Sequence, residues 1–143
     1  MMAATLDRHV PHTVHPFHAV LLAGTVPLFL AALLSDIAYS RSFQVQWLNF
    51  SSWLIAGGLV LGGVVLVFAL VDFARTHWRG GSAFVHAGLV LVAWVLGFIN
   101  ALVHARDAWA TMPTGLVLSA VVAVLFVVAT WITFSGLRMG GAR

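Results

Sequence analysis

Four ionisable residues form two pairs with the same spacing inside apolar segments of the chain. His18 and Asp36 are eighteen residues apart, and so are His86 and His104. Eighteen residues make five full helical turns, so the members of each pair share a helix face, about 27 Å apart along the axis. That separation is close to the thickness of a bilayer core. Each segment therefore places one ionisable side chain near each membrane surface.

Two parallel helices with these faces turned toward each other would bring His18 against His86. Neutral imidazole is a good iron ligand, and a helical bundle in a membrane supplies a dry pocket. The pattern thus predicts a b-type haem between the first and third spans. Small residues on the same faces, Thr25, Ala93 and Gly97, would line the gap.

The same arrangement would bring Asp36 to His104 on the opposite side of the membrane, with Asn100 one turn below the imidazole. A carboxylate beside an imidazole can take up and release protons, as at a quinol site or in a relay. A competing interpretation of the spacing needs no cofactor. Polar residues that only mark the two membrane surfaces would show the same spacing without any cofactor.

A further series of histidines precedes the first span, at three-residue spacing: His9, His12 and His15, leading to His18. In a polyproline helix these imidazoles would lie along one edge and could bind copper, zinc or nickel. A short disordered tail that binds metal only adventitiously is the alternative interpretation.

Composition places the whole chain in a membrane. Of its 143 residues, 62% are hydrophobic and 8% are charged, and the mean hydropathy is +1.03, which excludes a water-soluble globule. Cysteine is absent, which excludes disulfides and thiolate metal sites. The few arginines form no long basic run, so the sequence gives no support for nucleic-acid binding.

Four segments reach spanning length and predict an all-α bundle of four transmembrane helices, Phe17 to Tyr39, Ser52 to Ala74, Phe84 to Val103 and Thr114 to Phe134. This organisation predicts a His-rich tail over residues 1–16, a membrane domain over 17–136 and a short basic tail over 137–143. The aromatic connection over residues 40–51 is typical of a headgroup region, and a short interfacial helix is one interpretation of it.

The arginines predict the orientation of the chain in the membrane, and the small residues predict how its helices pack. Five of the seven arginines lie on the side of the N terminus, so both termini are expected in the cytoplasm of a bacterium, with the chain in the inner membrane. Glycine and alanine recur at four-residue spacing along several spans, which permits close helix contact. The openings "HAVLLAGTV" and "HAGLVLVAWV" also suggest two pseudo-repeated helical hairpins.

Several of these segments resemble a family of bacterial membrane proteins, domain of unknown function 2231. The resemblance rests on "HTVHPFHAVLLAGTVPLFLAALLSD", on "LVDFA" at the end of the second span and on "FVHAGLVLVAWVLGFIN" in the third. The matching positions are His15, Pro16, His18, Pro27, Asp36, Asp72 and His86. Members keep company with periplasmic dehydrogenases and cytochromes, so the resemblance implies a respiratory role.

Together these features predict a small membrane redox or anchor subunit rather than a stand-alone enzyme. It would pass electrons through haem b between a partner dehydrogenase or cytochrome and quinone, with Asp36, Asn100 and His104 handling protons. Its assembly would be either with such partner subunits or as a homo-oligomer. Two alternatives stay open: a non-enzymatic scaffold of a larger complex, and a metal-binding protein that uses the N-terminal histidines.

Overall fold

The computed structural model describes residues 16–75 and 81–139, apart from the side chains of residues 82 and 136–139. These residues form five helices: α1 (Pro16–Ser42), α2 (Val45–Arg75), α3 (Gly81–His104), α4 (Ala108–Thr111) and α5 (Thr114–Met139). The four long helices are long and apolar enough to cross a membrane. The prediction of an all-α, four-span membrane protein is therefore confirmed. His9, His12 and His15 lie outside the described residues.

Each long helix packs against two others. α1 and α3 both contact α2 and α5, so α1 and α3 lie diagonally across the bundle. The connections are short, and consecutive long helices are antiparallel, which makes α1 and α3 parallel. This arrangement turns one face of α1 and one face of α3 toward the bundle axis.

Glycines allow the helices to approach closely around a central aromatic pair. Phe29 of α1 and Phe126 of α5 stack with their ring centroids 4.8 Å apart and their planes 8° from parallel. A Cβ atom on Gly58 would lie 2.8 Å from the Phe29 ring, and one on Gly62 would lie 3.1 Å from Phe126. The small-residue spacing thus reflects helix contact, as expected in a membrane bundle.

The connection between α1 and α2 is shorter than the sequence suggests. The interpretation of residues 40–51 as a separate interfacial helix is wrong, because only Phe43 and Gln44 separate the two helices. Residues 45–51 form the first turns of α2, which extends its apolar face toward the end of the bundle. Phe43 adopts a left-handed conformation with φ 52°, which reverses the chain within two residues.

Candidate functional site

A carboxylate and an imidazole meet inside one end of the bundle. Asp36 lies six residues before the end of α1, about 9 Å below it, and His104 is the last residue of α3. Asp36 Oδ1 lies 2.9 Å from His104 Nε2, and the two side chains are 0% and 1% exposed. The diagonal placement of α1 and α3 joins these residues across the bundle axis.

Asn100 and Ser119 close this pair into a ring of hydrogen bonds. Ser119 on α5 donates to Asp36 Oδ2 over 2.5 Å, and it accepts a bond of 2.8 Å from Asn100 Nδ2. The ring is completed by His104 Nδ1, 2.9 Å from the backbone carbonyl oxygen of Asn100. Asp36, Asn100, Ser119 and His104 are all buried. We call these four residues the polar ring.

The polar ring determines how many protons the pair can hold. A carbonyl oxygen only accepts, so His104 Nδ1 must carry a proton. The contact between His104 Nε2 and Asp36 Oδ1 then needs one further proton, held by either residue. Losing that proton leaves a net negative charge in an apolar interior, and gaining another leaves a net positive one, both of which are costly. The resting pair therefore holds one shared proton between the two side chains.

Ser51 of α2 is placed to serve both forms of His104. Its hydroxyl lies 3.3 Å from the Ala32 carbonyl oxygen and 3.3 Å from His104 Nε2. When Nε2 carries a proton, the hydroxyl can donate to Ala32 and accept from the imidazole. When the shared proton has left and Nε2 is bare, the same hydroxyl can turn and donate to it.

The segment between α3 and α5 covers the polar ring. Thr111 in α4 is fully buried, and a Cβ atom on Gly115 would lie 2.9 Å from His104 Cε1. Tyr39 donates a hydrogen bond of 3.0 Å to the Ala108 carbonyl oxygen, which fastens α4 to α1. Trp109 is 77% exposed at this end, as is typical of a side chain in a headgroup region. The polar ring thus lies close to one end of the bundle.

At the other end of the bundle, His18 and His86 also come together. Their ring centroids are 5.8 Å apart and the rings are tilted by 54°. His18 is buried and His86 is half-buried, and His86 Nδ1 lies 3.2 Å from the Thr133 hydroxyl of α5.

The residues expected to line a haem pocket are packed against protein. Thr25 donates to the Leu21 carbonyl oxygen of its own helix, and Ala93 is fully buried in the core. A Cβ atom on Gly97 would lie 3.6 Å from the Phe29 ring. Between the two histidines and the aromatic pair, the core is filled by Leu22, Val90 and Ala129, each 0% exposed. This packing does not fit a macrocycle between the two imidazole rings.

The sequence does not predict three hydroxyl residues that lie at the two polar ends of the bundle. Ser119 lies in a small-residue stripe with Gly115 and Ala123, and its polarity within that stripe is the available signal. Ser51 falls in the predicted connection between the first two spans, and no pattern distinguishes Thr133. Asp107, which continues the polar face of α3 in the sequence, is exposed beyond the end of that helix.

Comparison with known proteins agrees with this architecture. A family model described as predicted membrane protein DUF2231 matches residues 14–139, a range that includes all four long helices and both polar ends. Curated proteins and solved structures gave no match. Since the family model covers most of the sequence, the chain belongs to the DUF2231 family of predicted membrane proteins.

Proposed function

We propose that this chain is a small integral membrane subunit that takes up and releases one proton at the Asp36–His104 pair on behalf of a redox partner. The observation that carries the proposal is the contact of 2.9 Å between two ionisable side chains that protein covers almost completely. Ionisable residues inside a membrane domain are costly and usually functional. This contact joins diagonal helices near one surface, where a proton has a short way to water.

The arrangement suits proton exchange better than structural support. Well-packed hydrophobic residues generally hold a bundle as firmly as a buried ion pair does, so stability alone gives little reason for an Asp–His contact. In addition, Ser51 can satisfy Nε2 of His104 with or without its proton. A site whose neighbours accommodate both protonation states lowers the cost of moving between them.

Quinone chemistry is the proposed source of the protons. Asn100 Oδ1 is buried and has no hydrogen-bond partner among the described residues. A free acceptor beside a proton-accepting pair suits a ligand that brings a hydroxyl donor, as a quinol does. The partner that oxidises or reduces the quinone would be a dehydrogenase or cytochrome, in line with the family resemblance. The arginine distribution favours a bacterial inner membrane with both termini in the cytoplasm.

Infrared difference spectroscopy of the chain in lipid nanodiscs tests proton exchange directly. A pH jump should produce paired bands of the Asp36 carboxyl group and the His104 imidazole, and Asp36→Asn should remove the carboxyl band while leaving the fold intact. A short-chain quinol added at constant pH should shift the same bands. A protein without any infrared band that depends on Asp36 after the pH jump would contradict the proposal.

Haem b between His18 and His86 stays a prediction, supported by the closeness of the rings and opposed by the packing around them. A dithionite-reduced minus oxidised visible spectrum of the purified protein decides it. A sharp α-band that disappears in His18→Ala and in His86→Ala would establish haem and would require the core near Leu22 to open.

A non-enzymatic scaffold is the second candidate function, and the close approach of Gly58 to Phe29 is the observation that favours it. In that case the glycine contacts would matter for assembly of a larger complex, and the polar ring would only mark one end of the bundle. Complementation of a deletion strain separates the two functions, because a scaffold tolerates Asp36→Asn and a proton-exchanging subunit does not.

A further inference from the structure

We propose that His18 and His86 form a two-coordinate site for a monovalent copper ion at the end of the bundle opposite the polar ring. Two imidazoles alone would hold the bare metal ion, and this site is independent of the proton chemistry proposed for Asp36 and His104.

Thr133 determines which nitrogen of the His86 ring carries the proton. The Thr133 hydroxyl lies 2.9 Å from the Ala129 carbonyl oxygen, which can only accept its proton. The Thr133 oxygen is then an acceptor for His86 Nδ1, 3.2 Å away. With the proton on Nδ1, a neutral His86 presents a lone pair at Nε2. Thr133 thus fixes the tautomer that metal-binding histidines need.

That Nε2 atom is buried and has no hydrogen-bond partner among the described residues. Buried polar atoms without a partner are rare in folded proteins and call for an explanation such as an ion. The ring of His18 is the nearest imidazole, with its centroid 5.8 Å away. An electron pair on the buried His86 Nε2 is therefore available beside a second imidazole ring.

The spacing of the rings matches a single shared ion. A metal–imidazole bond is about 2 Å, and with roughly 1 Å from each nitrogen to its ring centre, two imidazoles on one ion in a straight line have centroids about 6 Å apart. The observed distance is 5.8 Å. A bare ion is far smaller than a macrocycle, so it does not require the core residues Leu22, Val90 and Ala129 to move apart.

Charge and ligand number select the ion. Among the described residues, no group of three or more histidine, aspartate or glutamate side chains could hold a metal, so ions that require four or more protein ligands do not fit. Copper(I) accepts two imidazoles in a line. Its single charge also costs less to bury than a double charge.

Copper(I) titration of the full chain in detergent tests the site. The histidines before α1 would bind copper themselves, so the measurements use the variant H9Q/H12Q/H15Q. Anaerobic competition with a coloured copper(I) chelator gives the stoichiometry and affinity, and X-ray absorption at the copper edge gives the coordination number. We expect one copper ion per chain, bound by two nitrogen ligands.

His86→Asn is the decisive variant, because the asparagine amide can still donate to Thr133 but offers no ligand at the position of Nε2. On the same background it should weaken copper(I) binding at least a hundredfold without changing the helical content or the elution volume. His104→Gln, a histidine change at the other end, should leave copper binding intact. Absence of stoichiometric copper in H9Q/H12Q/H15Q, or equal binding by His86→Asn, would overturn the proposal.

Discussion

Replacing Asp36 and replacing His104 should have very different effects on stability, although the two side chains contact each other. In Asp36→Asn the amide has the shape of the carboxyl group. Its oxygen can accept from Ser119, and its nitrogen can donate to His104 Nε2 while Nδ1 still donates to the Asn100 carbonyl oxygen. Every bond of the polar ring survives with a new donor in place of the shared proton.

His104→Ala removes the imidazole and leaves the Asp36 carboxyl group buried with a single donor, Ser119. Removing one partner of a buried charged pair typically costs about 3–5 kcal/mol. Asp36→Asn keeps its hydrogen bonds and removes the charge, so its expected cost is about 1 kcal/mol or less. The difference between the two variants should thus be at least about 2 kcal/mol.

Reversible unfolding by sodium dodecyl sulfate in mixed micelles, followed by circular dichroism, measures these free energies. The double variant D36N/H104A should be more stable than His104→Ala alone, because no carboxylate is left without a partner. An Asp36→Asn protein as unstable as His104→Ala would refute the reasoning, since it would mean that the ionised carboxylate itself holds the helices together.

Three further changes test the packing around the polar ring and the core. Ser119→Ala removes an acceptor for Asn100 and a donor to Asp36, and it should cost about 1 kcal/mol in the same unfolding assay. Gly115→Ala would place its Cβ atom 2.9 Å from His104 Cε1, so it should displace the ring and shift the His104 signals in ¹⁵N NMR, whereas Gly88→Ala, with nothing within 4 Å, should not. Gly58→Ala should cost about 1–3 kcal/mol because it pushes into Phe29; its neighbour Gly57, where a Cβ atom makes only an ordinary contact of 3.7 Å, is the matched control.

The spacing of ionisable residues predicts much of the site. The eighteen-residue repeat pairs His18 with His86 and Asp36 with His104, because helical periodicity fixes a face and membrane thickness fixes a depth. Ser51 and Ser119 cannot be assigned in the same way, because small hydroxyl residues are common wherever membrane helices pack closely. Their roles depend on which helices are neighbours, and sequence periodicity contains no information on that.

The two hairpins contribute to the polar ring in a reciprocal way. Asp36 on α1 is bonded by Ser119 of the second hairpin, while His104 on α3 is contacted by Ser51 of the first. Each of the two diagonal helices thus carries an ionisable group, and the hydroxyl that contacts this group comes from the other hairpin. Such an exchange fixes the register between hairpins, because sliding either helix by one turn would separate both contacts.

The core between the two polar ends predicts that the chain alone does not conduct protons across a membrane. His18 and Asp36 are about 27 Å apart along α1, and the stacked Phe29 and Phe126 rings lie between them. Thr25 and Ser35 are the two polar side chains of α1 in that interval, and their hydroxyls donate to the carbonyl oxygens of Leu21 and Ala31 in the same helix. Liposomes with an internal pH dye should therefore keep a potassium-driven pH gradient as well with the protein as without it, while an added protonophore collapses it. A leak that depends on Asp36 would show that the aromatic pair opens, and the polar ring would then belong to a transmembrane pathway rather than to exchange at one surface.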